Sequence, residues 1–346
     1  MIPFVDGNGV AMEPLIRVKI TERGSKPGIN LAYIDQAPSY QAIWGRCQFT
    51  FDPLDENYDW LVVLDDIARI VPYRVETLRC PRERTILVTT EPSSISYYGQ
   101  AFAAQFGYVI TNHDAKTLPH SNAFRSQTGN RWFYGRPYDV IIKETKPYKT
   151  KKISTVCSDK QQGHTMHRLR YAFTKKMEES IVELERFGKG FKWIERKADA
   201  LDPYEFHVAI ENHIGKDVWT EKLADAFLGW CIPIYCGCPN VYDYFPKESV
   251  IAIDIHDMEG SIAKIKEIIA IEGEYERRFE ALKEARRRVV EEYNLLAMID
   301  QIVQNSKPST LTLNQKIYSR RMMRLKSLPD LIRFIRFRIN SFLKVI

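Results

Sequence analysis

Residues 206–245, FHVAIENHIGKDVWTEKLADAFLGWCIPIYCGCPNVYDYF, leave the chain few ways to fold. A β-rich run ends at Ile210, a polar loop follows, and Thr220 stands where a side-chain oxygen can cap a helix. Leu223, Ala226, Phe227 and Trp230 then recur at helical spacing, and 232–235 is a second short apolar run. A strand, a crossover helix and a second strand joined this closely belong to a parallel, doubly wound sheet.

The pattern extends in both directions. Strand-like runs at 153–157 and 250–253 and helical stretches at 166–186 and 260–271 surround the unit above. In the first half, β-rich runs fall at 15–20, 48–51, 60–64, 85–89 and 108–111, with a helix closing over 101–106. A Pro, Lys and Thr-rich connection at 144–152 separates the halves. A chain of 346 residues exceeds what one core usually serves. The expectation is α/β with two Rossmann-like domains, 1–150 and 151–305, facing across a cleft in the GT-B arrangement, followed by a helical basic tail, 306–346. Apolar residues at 275, 279, 282, 289, 293, 296 and 303 predict one long helix over 274–304.

Charge and cysteine usage narrow the function classes. Ten of the basic residues and a single acid lie in 306–346, so the tail is net +9 and the body net −3. That placement points to an anionic surface rather than to nucleic acid. The first 15 residues lack a basic region followed by an apolar stretch, which predicts a cytoplasmic protein, and no apolar run suffices to span a bilayer. Six cysteines at irregular spacing read as reduced thiols; Cys231, Cys236 and Cys238 lack a second ligand pair for zinc. The seven histidines show no ligand spacing, His164 and His167 coming nearest, and no glycine fingerprint of a dinucleotide site occurs. Asp65 and Asp66, after the run 60–64, read as helix caps rather than metal ligands.

Ligands of open α/β sheets bind beyond the C-terminal ends of the strands. A helix beginning after Thr220 presents free N–H groups and a positive partial charge there, which suits a pyrophosphate. Lys222 adds a full charge, Glu221 can accept from ribose hydroxyls, and Asn212 can donate to a phosphate oxygen. On spacing alone, dipole compensation by Glu221 and a solvated Lys222 account for the same residues equally well.

The order Glu-Asn, then Thr-Glu-Lys-Leu nine residues on, then Ile-Pro-Ile-Tyr, Gly237, Pro239, Tyr244 and Pro246 resembles the donor-site motif of glycosyltransferase family 10, the α-1,3-fucosyltransferases. Ile210 stands where the family has Phe and Val218 where it has an aromatic residue, and Trp219 is expected to supply the missing ring. Residues 155–177, TVCSDKQQGHTMHRLRYAFTKKM, are similar to the segment that brings an arginine to a helix start. The resemblance makes Arg170 the pyrophosphate ligand, with Arg168 as its competitor. The run 85–89 delivers Thr90, Glu91, Pro92 and Ser93 at its end, where the family carries a glutamate. Inversion in one displacement needs a single base for the acceptor hydroxyl, and Glu91 is assigned that role.

What the resemblance implies further is GDP-β-L-fucose as donor and a glycan or glycolipid acceptor, with O3 of N-acetylglucosamine in a lipopolysaccharide or O-antigen as the expected hydroxyl. It implies no required cofactor and a divalent metal at most stimulatory, and it leaves oligomerisation open. A different nucleotide sugar, or a non-catalytic glycan-binding or assembly role on the same fold, are the alternatives. The stretch 331–346, LIRFIRFRINSFLKVI, places most apolar side chains on one helical arc and Arg333, Arg336 and Lys344 on the other, Arg338 excepted. Such a helix suits a membrane interface or packing on the protein itself, and bacterial members of the family often end this way, so the membrane is the expected contact. The expected location is peripheral, on the inner face of the cytoplasmic membrane.

Overall fold

Every second residue of strand Trp60–Leu64 faces a different core. Trp60, Val62 and Leu64 join Ile86, Val88 and Ile110 on one side of the sheet, whereas Leu61 and Val63 join Leu87 and Val109 on the other. Burial on both faces is what a parallel sheet flanked by helices requires, and it explains why these runs read as continuously apolar. The computed structural model describes residues 14–27, 31–159, 166–307 and 315–343. They divide into two units: one holds the residues up to Glu91, Tyr97–Phe124 and Leu295–Phe334, the other Pro92–Ser96, Arg125–Asn294 and the residues from Ile335.

The sheet of the first unit runs Ile43–Trp44, Cys47–Thr50, Ile16–Glu22, Trp60–Leu64, Thr85–Thr89, Tyr108–Thr111 and Ala123–Arg125. Its five strands from Cys47–Thr50 to Tyr108–Thr111 are parallel, in the order 2-1-3-4-5 when counted along the chain. The second unit repeats that order with Leu184–Phe187, Lys151–Val156, Tyr204–Ile210, Ile232–Cys236 and Ile251–Ala252, all parallel. In each unit the winding reverses between the first and third strands, so the second unit's switch point lies between Lys151–Val156 and Tyr204–Ile210.

Three expectations are corrected. The helix expected over 166–186 ends at Ser180, and Leu184–Phe187 is the edge strand of the second sheet; its short alternation is masked by the charged residues around it. The long helix expected over 274–304 is three, Glu274–Arg277, Phe279–Glu291 and Leu295–Gln304. Its apolar stripe serves two cores, since Tyr275, Leu282 and Val289 pack in the second unit while Leu296 and Val303 pack in the first. The division of the chain also differs: Pro92–Ser96 already group with the second unit, the longer crossing follows Phe124 rather than residue 150, and Leu295–Phe334 return to the first unit.

Part of the expected tail is consequently anchored in the first unit. Strand Lys316–Tyr318 pairs antiparallel with Val75–Thr77, and Ile317 is fully buried. Asp330, also buried, accepts from the backbone N–H groups of Gln100 and Ala101 at 3.1 and 2.7 Å, capping the short helix Gln100–Ala103 from a distance in sequence. The last helix, Leu328–Leu343, leaves Leu328, Ile332, Ile335, Ile339 and Phe342 exposed along one side. Lys344 and His164 lie outside the described residues. All six cysteines are buried and none is in a disulfide. Among the described residues no helix is long and apolar enough to cross a membrane, and no group of His, Cys, Asp and Glu is arranged to hold a metal ion.

Ile299 is fully buried in the first unit's core. Ile299→Ala is expected to cost about 2–5 kcal/mol in urea unfolding. An unchanged midpoint would show that Leu295–Gln304 is not part of that core.

Candidate functional site

Strand Tyr204–Ile210 ends at the switch point of the second sheet, and Glu211 and Asn212 follow at once. Glu211 is buried, yet its carboxylate is fully engaged: it accepts from the Thr220 N–H at 2.8 Å and from the Thr220 hydroxyl at 2.7 Å. Thr220 is thereby fixed as the N-cap of helix Glu221–Leu228, its oxygen accepting from the Lys222 N–H. The strand end and the helix start are thus tied by one carboxylate. Gly237 is required by the same packing, because a Cβ there would collide with Glu211 Cγ and the Tyr235 hydroxyl.

Lys222 Nζ lies 2.7 Å from Glu221 Oε1, 3.1 Å from Thr220 Oγ1 and 3.5 Å from Glu211 Oε2. Burial works against its charge, but Glu211 and Glu221 outweigh it and hold the ammonium protonated above its ordinary range. Burial likewise opposes the charge on Glu221, and Lys222 and Lys197 take its carboxyl below the usual value. Burial pushes Glu211 up, with Lys222 in partial compensation. The three side chains share one charge balance, with a cation between two carboxylates.

Arg170 enters from helix His167–Ser180, whose first turn is drawn to the strand end by the Met166 N–H donating to the Asn212 carbonyl at 3.2 Å. Its buried guanidinium donates through Nη1 to Asn212 Oδ1 at 2.8 Å and to the Ile210 carbonyl at 3.4 Å, while Nε has no partner among the described residues. With the Asn212 oxygen occupied by Arg170, its amide NH2 is left to donate. Arg170 is close enough to Lys222 for its charge to be felt there. Arg168 is exposed to solvent instead. Arg170, Asn212, Thr220, Glu221 and Lys222 thus gather at one strand end, where a buried guanidinium and a protonated lysine suit an anionic oxygen-rich ligand.

Trp219 departs from expectation. Its ring is buried edge-on against Tyr244, Phe245 and Tyr293, with centroids 5.8, 5.1 and 5.4 Å away. It is a core residue holding the loop rather than a ligand-facing ring. That loop is tied down further by Asp217, in the left-handed region at φ 61°, which accepts from Asn240 Nδ2 and the Tyr244 hydroxyl, both at 2.8 Å.

In the first unit, Glu91 follows strand Thr85–Thr89 with its side chain exposed and its backbone held at both polar groups. Its N–H donates to the Tyr98 hydroxyl at 3.1 Å, and its carbonyl accepts from His113 Nε2 at 2.9 Å. Tyr98 donates in turn to the Asp65 carboxylate, which also takes the Thr90 N–H at 2.8 Å and the Thr90 hydroxyl at 2.5 Å. Asp65 is therefore no cap for a helix following its strand. Asp66 does cap one, but a remote one: it accepts from the N–H of Arg320, the first residue of helix Arg320–Lys326, at 2.9 Å. Asp65 and Glu211 were invisible as anchors in the sequence because their partners lie 25 and nine residues away.

Each unit thus holds a parallel sheet of the same winding order, and the second carries a buried arginine and a lysine beyond its strand ends. A solved α1,3-fucosyltransferase with GDP shares the fold, with a TM-score of 0.50 at 16% identity over 84% of this chain and 96% of that one. Residues 146–307 match the family described as glycosyltransferase family 10 (fucosyltransferase) C-term. Human 4-galactosyl-N-acetylglucosaminide 3-alpha-L-fucosyltransferase 9 is 28% identical over 144 residues, which are 38% of this chain and 39% of that protein. Alpha-(1,3)-fucosyltransferase FucT of Helicobacter pylori is 36% identical over 74 residues, 21% of this chain and 16% of that protein. The chain thus matches well under half the length of these curated relatives.

Glu211→Ala leaves the Thr220 donors without their acceptor in a buried place, so a loss of about 1–3 kcal/mol is expected in thermal or urea unfolding. Arg168→Ala, at an exposed position, is expected to stay within about 0.5 kcal/mol of wild type. Equal stability of the two variants would remove Glu211 as the anchor.

Proposed function

We propose that the protein transfers L-fucose from GDP-β-L-fucose to a glycan hydroxyl with inversion, forming an α-1,3-fucoside on N-acetylglucosamine. The observation that carries this is the arrangement of Arg170, Asn212 and Lys222 at the switch point of a family 10 domain. Arg170 and Asn212 bind the pyrophosphate oxygens, Lys222 adds the second positive charge, and Glu221 receives the ribose hydroxyls. The acceptor oxygen attacks the anomeric carbon as the bond from that carbon to the β-phosphate oxygen breaks. Its proton passes to the Glu91 carboxylate, and GDP leaves with its added negative charge met by Arg170 and Lys222. No cofactor is required on this reading, because fixed cations take the place a divalent metal would fill. The human relative, whose name specifies fucosylation of 4-galactosyl-N-acetylglucosaminide, supports the choice of acceptor.

Incubation with GDP-fucose and N-acetyllactosamine in EDTA is expected to yield a fucosylated product, and Glu91→Gln to lower kcat by about 10²–10⁴-fold. No product, or product only from another nucleotide sugar, would contradict the donor assignment. Full turnover by Glu91→Gln would contradict the base.

On the same reading the enzyme works at the inner face of the cytoplasmic membrane, on a glycan such as a lipopolysaccharide or O-antigen precursor. Support comes from the exposed row Leu328, Ile332, Ile335, Ile339 and Phe342, bordered by Arg333, Arg336 and Arg338. Because Asp330 is built into the first unit, the informative truncation falls after Phe334. Protein lacking 335–346 is expected to remain folded and to leave anionic vesicles at low salt; undiminished vesicle binding would rule out this stretch as the membrane contact.

A further inference from the structure

An exposed loop glutamate ordinarily has a mobile backbone, yet both polar backbone groups of Glu91 are taken up by side chains from other segments. The Tyr98 hydroxyl that accepts its N–H is itself buried, and it donates to Asp65, whose remaining oxygen binds the Thr90 hydroxyl. Asp65 holds a left-handed φ of 63° at the strand end to reach these groups. His113 packs edge-on against the Tyr98 ring at 5.2 Å while its Nε2 donates to the Glu91 carbonyl. The Arg320 guanidinium lies 4.7 Å over the same ring, so the C-terminal segment also packs on the arrangement. A network this complete around one residue's backbone fixes the point from which its carboxylate projects.

We infer that Tyr98 and Asp65 are positioning residues for Glu91: they act on its backbone, hold the carboxylate where it can take the acceptor proton, and touch no substrate. This rests on the role of Glu91 as base. A misplaced base lowers the rate of the chemical step without weakening donor binding, because the groups that bind donor belong to the second unit. Loss of the Tyr98 hydroxyl is expected to matter only while Glu91 is there to be positioned, so the effects of changing both residues are strongly non-additive.

The test is a double-mutant cycle with Tyr98→Phe and Glu91→Gln, read by kcat, KM for GDP-fucose, calorimetric Kd for GDP and melting temperature. Asp65→Asn serves as a second entry into the same network. Tyr98→Phe is expected to lower kcat about tenfold or more with KM and the GDP Kd unchanged, and to have no further effect in the Glu91→Gln background. An unchanged kcat in both Tyr98→Phe and Asp65→Asn, or an equal loss in both backgrounds, would overturn the inference and leave the base assignment standing. Full turnover by Glu91→Gln alone would instead overturn the base assignment, and the inference with it.

Discussion

The carboxylate of Glu211 holds the end of the central strand of the second sheet to the beginning of the helix that follows it. A buried carboxylate is costly unless its lone pairs are occupied. Here the Thr220 N–H and hydroxyl occupy two, with Lys222 3.5 Å away. Once Thr220 is fixed, the first helical turn is fixed, and with it the direction in which Glu221 and Lys222 project. Gly237, the Tyr235 hydroxyl and the Asn240 and Tyr244 contacts to Asp217 serve the same loop. The long motif in the sequence is therefore for the most part a device for holding one loop, with few residues left to meet a ligand.

Each unit places its exposed chemistry on a similar support. Asp65 stands after the third strand of the first unit as Glu211 stands after the third strand of the second. Each carboxylate takes the N–H and hydroxyl of a threonine, Thr90 in one unit and Thr220 in the other. Each threonine directly precedes a glutamate given a role in the reaction, Glu91 as base and Glu221 toward ribose. Side chains that must be open to substrate cannot be held by burial, so their neighbours' backbone is held instead.

What could be read from the sequence follows from the range of the interactions. Strands Trp60–Leu64, Thr85–Thr89 and Tyr108–Thr111 were legible because buried parallel strands are continuous apolar runs, and Thr220 because capping is local. Leu184–Phe187 was not, since its neighbours are charged and its pairing partner, Lys151–Val156, lies far upstream. The break at Asn294 was hidden because a single apolar stripe continues past it into a different core. Trp219 was misread because an aromatic residue beside a binding loop looks the same in sequence whether it faces ligand or the interior. Arg170 and Asn212 needed the family resemblance to be paired, and the structure then placed them 2.8 Å apart across 42 residues.

The placement of the diphosphate on Arg170 is the point on which the donor assignment turns. Calorimetric titration of GDP, in EDTA, into wild type and Arg170→Ala measures it directly. Removing a charged hydrogen-bonding partner of the phosphates is expected to weaken binding by about 10–100-fold, the equivalent of roughly 1.5–3 kcal/mol. Equal GDP affinity in the two proteins, with the variant folded, would contradict it.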